Sequence, residues 1–178
     1  GSDENYVLAG GGNTSYKDCE YLYVKASGTS LKTITEEGFV KLSREKLDKV
    51  LTASYSEDTA KREEEVLKNL NDAVVCGGRP SVEASLHGLM KFTYVVHLHP
   101  ALVNGLTASV NGKAEAEKLF GDSFVWVENT EPGYVLAKKC EAALKEKDVQ
   151  IIILENHGIF VGADTTEEAA NEIAAYME

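Results

Sequence analysis

The sequence predicts an α/β sandwich, and three observations carry that prediction. Strand-like and helix-like segments interleave along the chain, with helix enough to cover two faces of a sheet. Val149 to Leu154 is a β-branched run with three successive isoleucines, the pattern of a strand buried on both faces. The chain has 178 residues, 43% of them hydrophobic, without repeat, low-complexity tract or Pro/Gly/Ser linker, which suits one domain over residues 1–178.

Gly10-Gly11-Gly12-Asn13-Thr14-Ser15 is a small-residue loop, and Tyr16 to Glu20 reads as a turn. Tyr21–Ala26 is strand-like, and Ser27-Gly28-Thr29-Ser30 makes a second small-residue loop at its far end. Ser43 is placed to cap a helix whose Leu47, Val50 and Leu51 share one face. Ser56 to Asn71 is a second, heavily charged helical stretch, and Val82 to Lys91 a third that follows Arg79-Pro80-Ser81. Phe92–His99 is a strand stopped by Pro100, and Phe124–Val127 is a short strand. Pro132-Gly133 leads into a helix ending near Lys147. After Val149–Leu154, Asn156-His157-Gly158 interrupts an apolar pattern that resumes at Ile159–Gly162. Thr165 and Glu168 have capping-box spacing, opening a helix that runs to the end of the chain.

Eighteen basic against 29 acidic residues leave a net charge of −11. That balance opposes nucleic-acid binding, which needs a basic surface to displace counterions from phosphates. No apolar run reaches the roughly 20 residues that span a bilayer. Cys19, Cys76 and Cys140 show no pairing or metal spacing, so a reducing cytoplasm is the expected setting.

The chemistry rests on few side chains. His97 and His99, two apart on a strand, point the same way about 7 Å apart at their Cα atoms. His157 also sits at a strand end. Should those ends adjoin, three neutral imidazoles hold a tetrahedral metal with one open position; otherwise His-x-His is a half-buried strand face. Glu83 falls in the first turn of its helix, where the dipole favours a carboxylate and where a general base could serve the metal. His87, four residues on, either orients Glu83, packs, or is an alternative ligand. The two glycine loops lack the dinucleotide-binding and Walker spacings, leaving backbone N–H concavities for a phosphate or ordinary turns.

Five blocks occur in order: Gly-Gly-Asn-Thr-Ser at 11–15, Lys-Ala-Ser-Gly at 25–28, Arg-Pro-Ser-Val-Glu at 79–83 with His87, His-Leu-His-Pro at 97–100, and Asn-His-Gly at 156–158. Together they resemble the class II aldolase/adducin family. Within it they are most similar to the aldolase half of bifunctional rhamnulose-phosphate aldolase/short-chain dehydrogenases; nothing in the chain resembles the dehydrogenase half. The resemblance implies a three-layer α/β/α sandwich around a mixed, largely antiparallel sheet, and a homotetramer with sites at subunit interfaces. It implies a divalent metal, normally zinc, on His97, His99 and His157, although manganese and cobalt also suit such ligands. It implies Glu83 as the catalytic acid/base, and Asn13, Ser27, Gly28 and Ser81 on the substrate phosphate.

The implied reaction is reversible cleavage of a ketose 1-phosphate of the rhamnulose or fuculose type into dihydroxyacetone phosphate and an aldehyde. A pentose-phosphate 4-epimerase, a methylthioribulose-phosphate dehydratase and a non-catalytic adducin-like interaction domain are the alternatives. A hydrolase using zinc hydroxide would need the histidines but no phosphate loops. Val82 replaces a second phosphate-binding serine of many relatives, and no tyrosine here matches the family's interface tyrosine. The chain is also expected to stop before a C-terminal tail that completes the site in many relatives.

Overall fold

A computed structural model describes residues 1–7 and 11–177, so Gly10 of the first glycine loop lies outside the described residues. One eight-stranded sheet organises the chain. Its strands are β1 (Asn13–Lys17), β2 (Tyr21–Lys25), β3 (Phe39–Ser43), β4 (Val74–Cys76), β5 (Tyr94–Leu98), β6 (Phe124–Val127), β7 (Ile151–Leu154) and β8 (Gly158–Ala163). They lie in the order β4-β3-β2-β1-β5-β8-β7-β6, antiparallel throughout except for the parallel β6–β7 pair. The helices are α1 (Arg44–Thr52), α2 (Thr59–Asp72), α3 (Ala84–Leu89), α4 (Ala101–Thr107), α5 (Gly112–Phe120), α6 (Tyr134–Glu146) and α7 (Thr166–Ala175).

Alternation along the strands divides the core into two layers. On one face, Leu86 of α3 and Leu136 and Cys140 of α6 pack on Val95, Val125, Ile152, Leu154 and Phe160. Leu47 and Val50 of α1 and Val66 and Leu70 of α2 continue that layer over Leu22, Val24, Val40 and Leu42. On the other face, Val103 of α4 and Ala116 of α5 cover Phe124, Ile151, Ile153, Ile159 and Val161. Every residue of β7 is buried, as its isoleucine run predicts. The result is the expected three-layer sandwich with a mixed, largely antiparallel sheet.

Local signals explain the helix starts. The Ser43 hydroxyl accepts from Lys46 N–H, Asp58 caps α2 through Lys61 N–H, and Thr165 Oγ1 accepts from Glu168 N–H at 3.1 Å. Glu168 in turn accepts from the backbone N–H of Asp164 at 3.0 Å, one residue before the cap.

Several boundaries differ from expectation. Asn13–Lys17 is a central strand, so the predicted loop at 10–15 and turn at 16–20 shrink around it. Its inward residues Asn13, Ser15 and Lys17 are polar, which hides the strand from a hydrophobic pattern. Ser15 pairs with Val24, so the start of β1 and the Ser27-Gly28 loop meet at one sheet edge, not at opposite ends of a strand. The third helix starts at Ala84, making Glu83 its N-cap residue instead of a first-turn one, and it ends at Leu89. The last helix stops at Ala175, where Tyr176 caps it.

Candidate metal centre

Strand pairing assembles the site. In the antiparallel β5–β8 pair, His97 opposes Phe160 and Leu98 opposes Ile159. The exit of β5, carrying His99, therefore meets the entry of β8, preceded by His157. Asn156 reverses the chain there in the left-handed region, at φ 55°. Gly158 lets the strands approach: a Cβ at that position would stand 2.3 Å from the Leu98 carbonyl oxygen and 2.8 Å from the His99 ring. On the other side of β5, Asn13 opposes His97.

The three imidazoles converge. Their ring centroids are 4.6 Å (His97–His99), 5.0 Å (His97–His157) and 5.1 Å (His99–His157) apart, and one nitrogen of each lies within 4.8 Å of the others. His97 Nδ1–H donates to the Ile159 carbonyl at 3.1 Å, and its ring stacks on Phe160 at 4.0 Å. A carbonyl can only accept, so this bond leaves the His97 Nε2 lone pair facing inward. That nitrogen lies 2.8 Å from His99 Nε2.

Glu83 closes the cluster from the end of α3. Its Oε2 is 3.6 Å from His97 Nε2 and its Oε1 is 3.4 Å from His157 Nε2. Burial holds the His97 imidazole well below the ordinary histidine range, with the neighbouring His99 and His157 acting in the same direction. Burial lowers His99 and His157 too, against the opposing pull of the Glu83 carboxylate. The rings are therefore neutral near pH 7, and these contacts are not ion pairs. Glu83 is 7% exposed, and its Oε1 accepts no hydrogen bond. A buried carboxylate facing neutral imidazole lone pairs fits a cation, because buried charges are paired or ligate metals. These residues can hold a divalent ion.

His87 is not among those ligands. Its ring is fully buried, with Nδ1 2.7 Å from Ser15 Oγ and Nε2 against Asn13 Oδ1. Asn13 Nδ2 donates to Glu83 Oε2 at 2.8 Å and faces Ser81 Oγ at 3.4 Å. Ser81 Oγ also accepts from Glu83 N–H at 3.2 Å. Ser27 and Gly28 stand apart from this cluster on the exposed rim. They are tied to it through the Ala26–Pro80 bridge and through Ser27 N–H, which donates to the Arg79 carbonyl at 2.9 Å. Gly28 has φ 86°, a conformation glycine adopts freely. The Arg79 guanidinium donates to Ser27 Oγ at 2.9 Å, while buried Lys25 donates to the Thr29 carbonyl at 2.7 Å from beneath the loop. Arg79 and Lys25 were legible only as members of their motifs; neither has a spacing that announces a role. A concavity of about 500 Å³ between Lys113, Trp126 and Lys147 is lined by none of the histidines.

Comparison with known proteins shows what the chain is similar to. A family model described as the class II aldolase and adducin N-terminal domain matches residues 2–178. The chain is 30% identical over 179 residues to the uncharacterized oxidoreductase YuxG of Bacillus subtilis, covering 94% of this chain but 25% of that protein. It therefore spans about a quarter of that relative's length. It is 25% identical over 166 residues to the L-fuculose phosphate aldolase of Methanocaldococcus jannaschii, covering 88% of this chain and 75% of that one. Among solved structures, the N-terminal class II aldolase domain of a conserved Thermoplasma acidophilum protein superposes with a TM-score of 0.83 at 28% identity, over 99% of this chain and 84% of that one.

Proposed function

The chain belongs to the class II aldolase and adducin family, and from that premise we propose that it is a metal-dependent sugar-phosphate aldolase. The reaction is reversible cleavage of a ketose 1-phosphate into dihydroxyacetone phosphate and an aldehyde. One observation carries the reading: neutral His97, His99 and His157 converge beside a buried Glu83 carboxylate whose Oε1 has no hydrogen-bond partner.

His97, His99 and His157 would hold a divalent metal, zinc by preference, which would supply Lewis-acid stabilisation for the charge left when the C3–C4 bond breaks. Neutral imidazoles leave that ion its full charge, which anionic ligands would diminish. Glu83 Oε1 takes the proton from C3 of dihydroxyacetone phosphate in the synthetic direction and returns it to C3 in cleavage. Its Oε2, engaged by Asn13, stays fixed while Oε1 works. Asn13, Ser27, Gly28 and Ser81 hold the phosphate, with the Arg79 guanidinium beside Ser27 offsetting part of its charge. Binding there orients the reacting carbon. A homotetramer and a cytoplasmic setting belong to the same proposal; the free Cys19, Cys76 and Cys140 suit a reducing compartment.

A panel of sugar phosphates, assayed for released triose phosphate alongside elemental metal analysis, tests the reading. An epimerase or dehydratase on the same residues converts its substrate without releasing triose phosphate. Glu83→Gln is expected to keep the metal and lower turnover about 10²- to 10⁴-fold. Near-normal turnover in that variant would remove Glu83 as the base.

A further inference from the structure

We propose that Ser15, His87 and Asn13 form a hydrogen-bonded relay that fixes the Glu83 carboxylate, making Asn13 a positioning residue for the base. The inference rests on the reading of Glu83 as the proton-transfer group and assigns the residues that aim it.

With His87 neutral, one arrangement of donors satisfies this chain of contacts. The Glu83 carboxylate accepts, so Asn13 must present its NH₂ to Oε2, at 2.8 Å. The Asn13 carbonyl oxygen then faces His87 Nε2, which must carry the proton. A neutral ring protonated at Nε2 accepts at Nδ1, so the Ser15 hydroxyl donates there, at 2.7 Å. Every member is buried: Ser15 is 2% exposed, Asn13 6%, Glu83 7% and His87 0%. Burial keeps the His87 imidazole neutral, and nearby Lys17 and His97 oppose a further positive charge.

The strand itself is committed to this histidine. All three inward residues of β1 meet it: Asn13 and Ser15 on the ring, and Lys17, whose Nζ donates to the His87 carbonyl at 2.9 Å. A histidine packed merely to fill space needs no such concentration of partners. The relay ends on the oxygen that is not needed for proton transfer and leaves the other without a partner. That division suits a base whose free oxygen must hold one position, since a 1 Å misplacement costs about 10²-fold in rate.

The test uses the metal-loaded protein. Nitrogen NMR of ¹⁵N-histidine-labelled protein is expected to show His87 neutral with its proton on Nε2; a proton on Nδ1, or on both nitrogens, overturns the relay. Exchange of the C3 proton of dihydroxyacetone phosphate in deuterium oxide supplies the rate. Asn13→Ala and His87→Phe are each expected to lower kcat about 10- to 100-fold, the usual cost of losing a residue that supports a site group. Metal content should remain full. His87→Gln, which can still donate to Asn13 Oδ1, should recover most of the rate, and it supplies the comparison should the phenylalanine variant fail to fold. An unchanged kcat in Asn13→Ala, whether or not KM rises, refutes the proposal. Failure of the unmodified protein to exchange that proton counts against Glu83 as the base, while the His87 tautomer still decides the relay.

Discussion

Gly158→Ala adds one methyl group where β5 and β8 converge. The backbone of Gly158 is not in the left-handed region, so contact alone opposes the change. The new Cβ would stand 2.3 Å from the Leu98 oxygen, 2.8 Å from His99 Cδ2 and 3.3 Å from His97 Cε1. The tightest of these falls about 1 Å or more short of ordinary van der Waals separation, and the nearest atom is backbone, which cannot swing aside. β8 must therefore move away from β5 at the mouth of the pair, taking His157 with it. Overpacking of this kind costs about 1–3 kcal/mol. At about 2–4 °C per kcal/mol for a chain of this size, the melting temperature should fall by about 2–12 °C. Metal binding should suffer more, because zinc–nitrogen distances tolerate only about 0.2 Å of error. The assay pairs thermal unfolding by circular dichroism with elemental analysis after dialysis against zinc. Gly105→Ala is the control: its Cβ meets nothing within 4 Å, and alanine in α4 should stabilise by about 0.5–1 kcal/mol. A Gly158→Ala protein with unchanged melting temperature and one zinc per chain would refute the account of how the histidines are brought together.

Other measurements bear on the same structure. Zinc at one hundred times its Kd should stabilise the chain by about 2.7 kcal/mol, seen as a rise of about 5–10 °C in melting temperature; His99→Ala should abolish both this rise and stoichiometric zinc. Burial pulls the Lys17 ammonium down to about 8. Its folded value lies below its unfolded one, so the unfolded chain binds more protons between about pH 8 and 10.5, and stability gains with pH across that window. Lys17→Met should therefore raise the melting temperature at pH 7, with the advantage shrinking above pH 8; an advantage independent of pH would contradict it. Thr165→Ala removes the cap of α7 and should cost about 1 kcal/mol in denaturant unfolding; no change would mean that Glu168 alone secures the helix start.

Much of this architecture was readable because apolar pattern and burial agree. The isoleucines of β7, the Leu47-Val50-Leu51 face of α1 and the Thr165 cap all sit as their chemistry dictates. β1 was not readable, since a central strand with Asn13, Ser15 and Lys17 inward carries no hydrophobic signature. β4 escaped for another reason: it has three residues, two of them exposed, and is held only along the sheet edge. α4 is seven residues long with a glycine and a threonine, too short for its period to speak. At the site, the histidine spacing indicated that His97 and His99 share a direction, but their meeting with His157 depends on the β5–β8 register. The route from Glu83 through Asn13 to His87 depends on β1 lying beside β5, which no local pattern encodes.

The polar lining of β1 also constrains how this chain can drift. Truncating His87 alone leaves Ser15 and Asn13 each without its partner on that ring, and every orphaned group costs about 1–3 kcal/mol. A descendant that abandoned catalysis would thus keep a hydrogen-bonding side chain at this position to satisfy β1. Escape to an oily interior requires several codons to change together, so vestiges of the reaction should outlast the reaction itself.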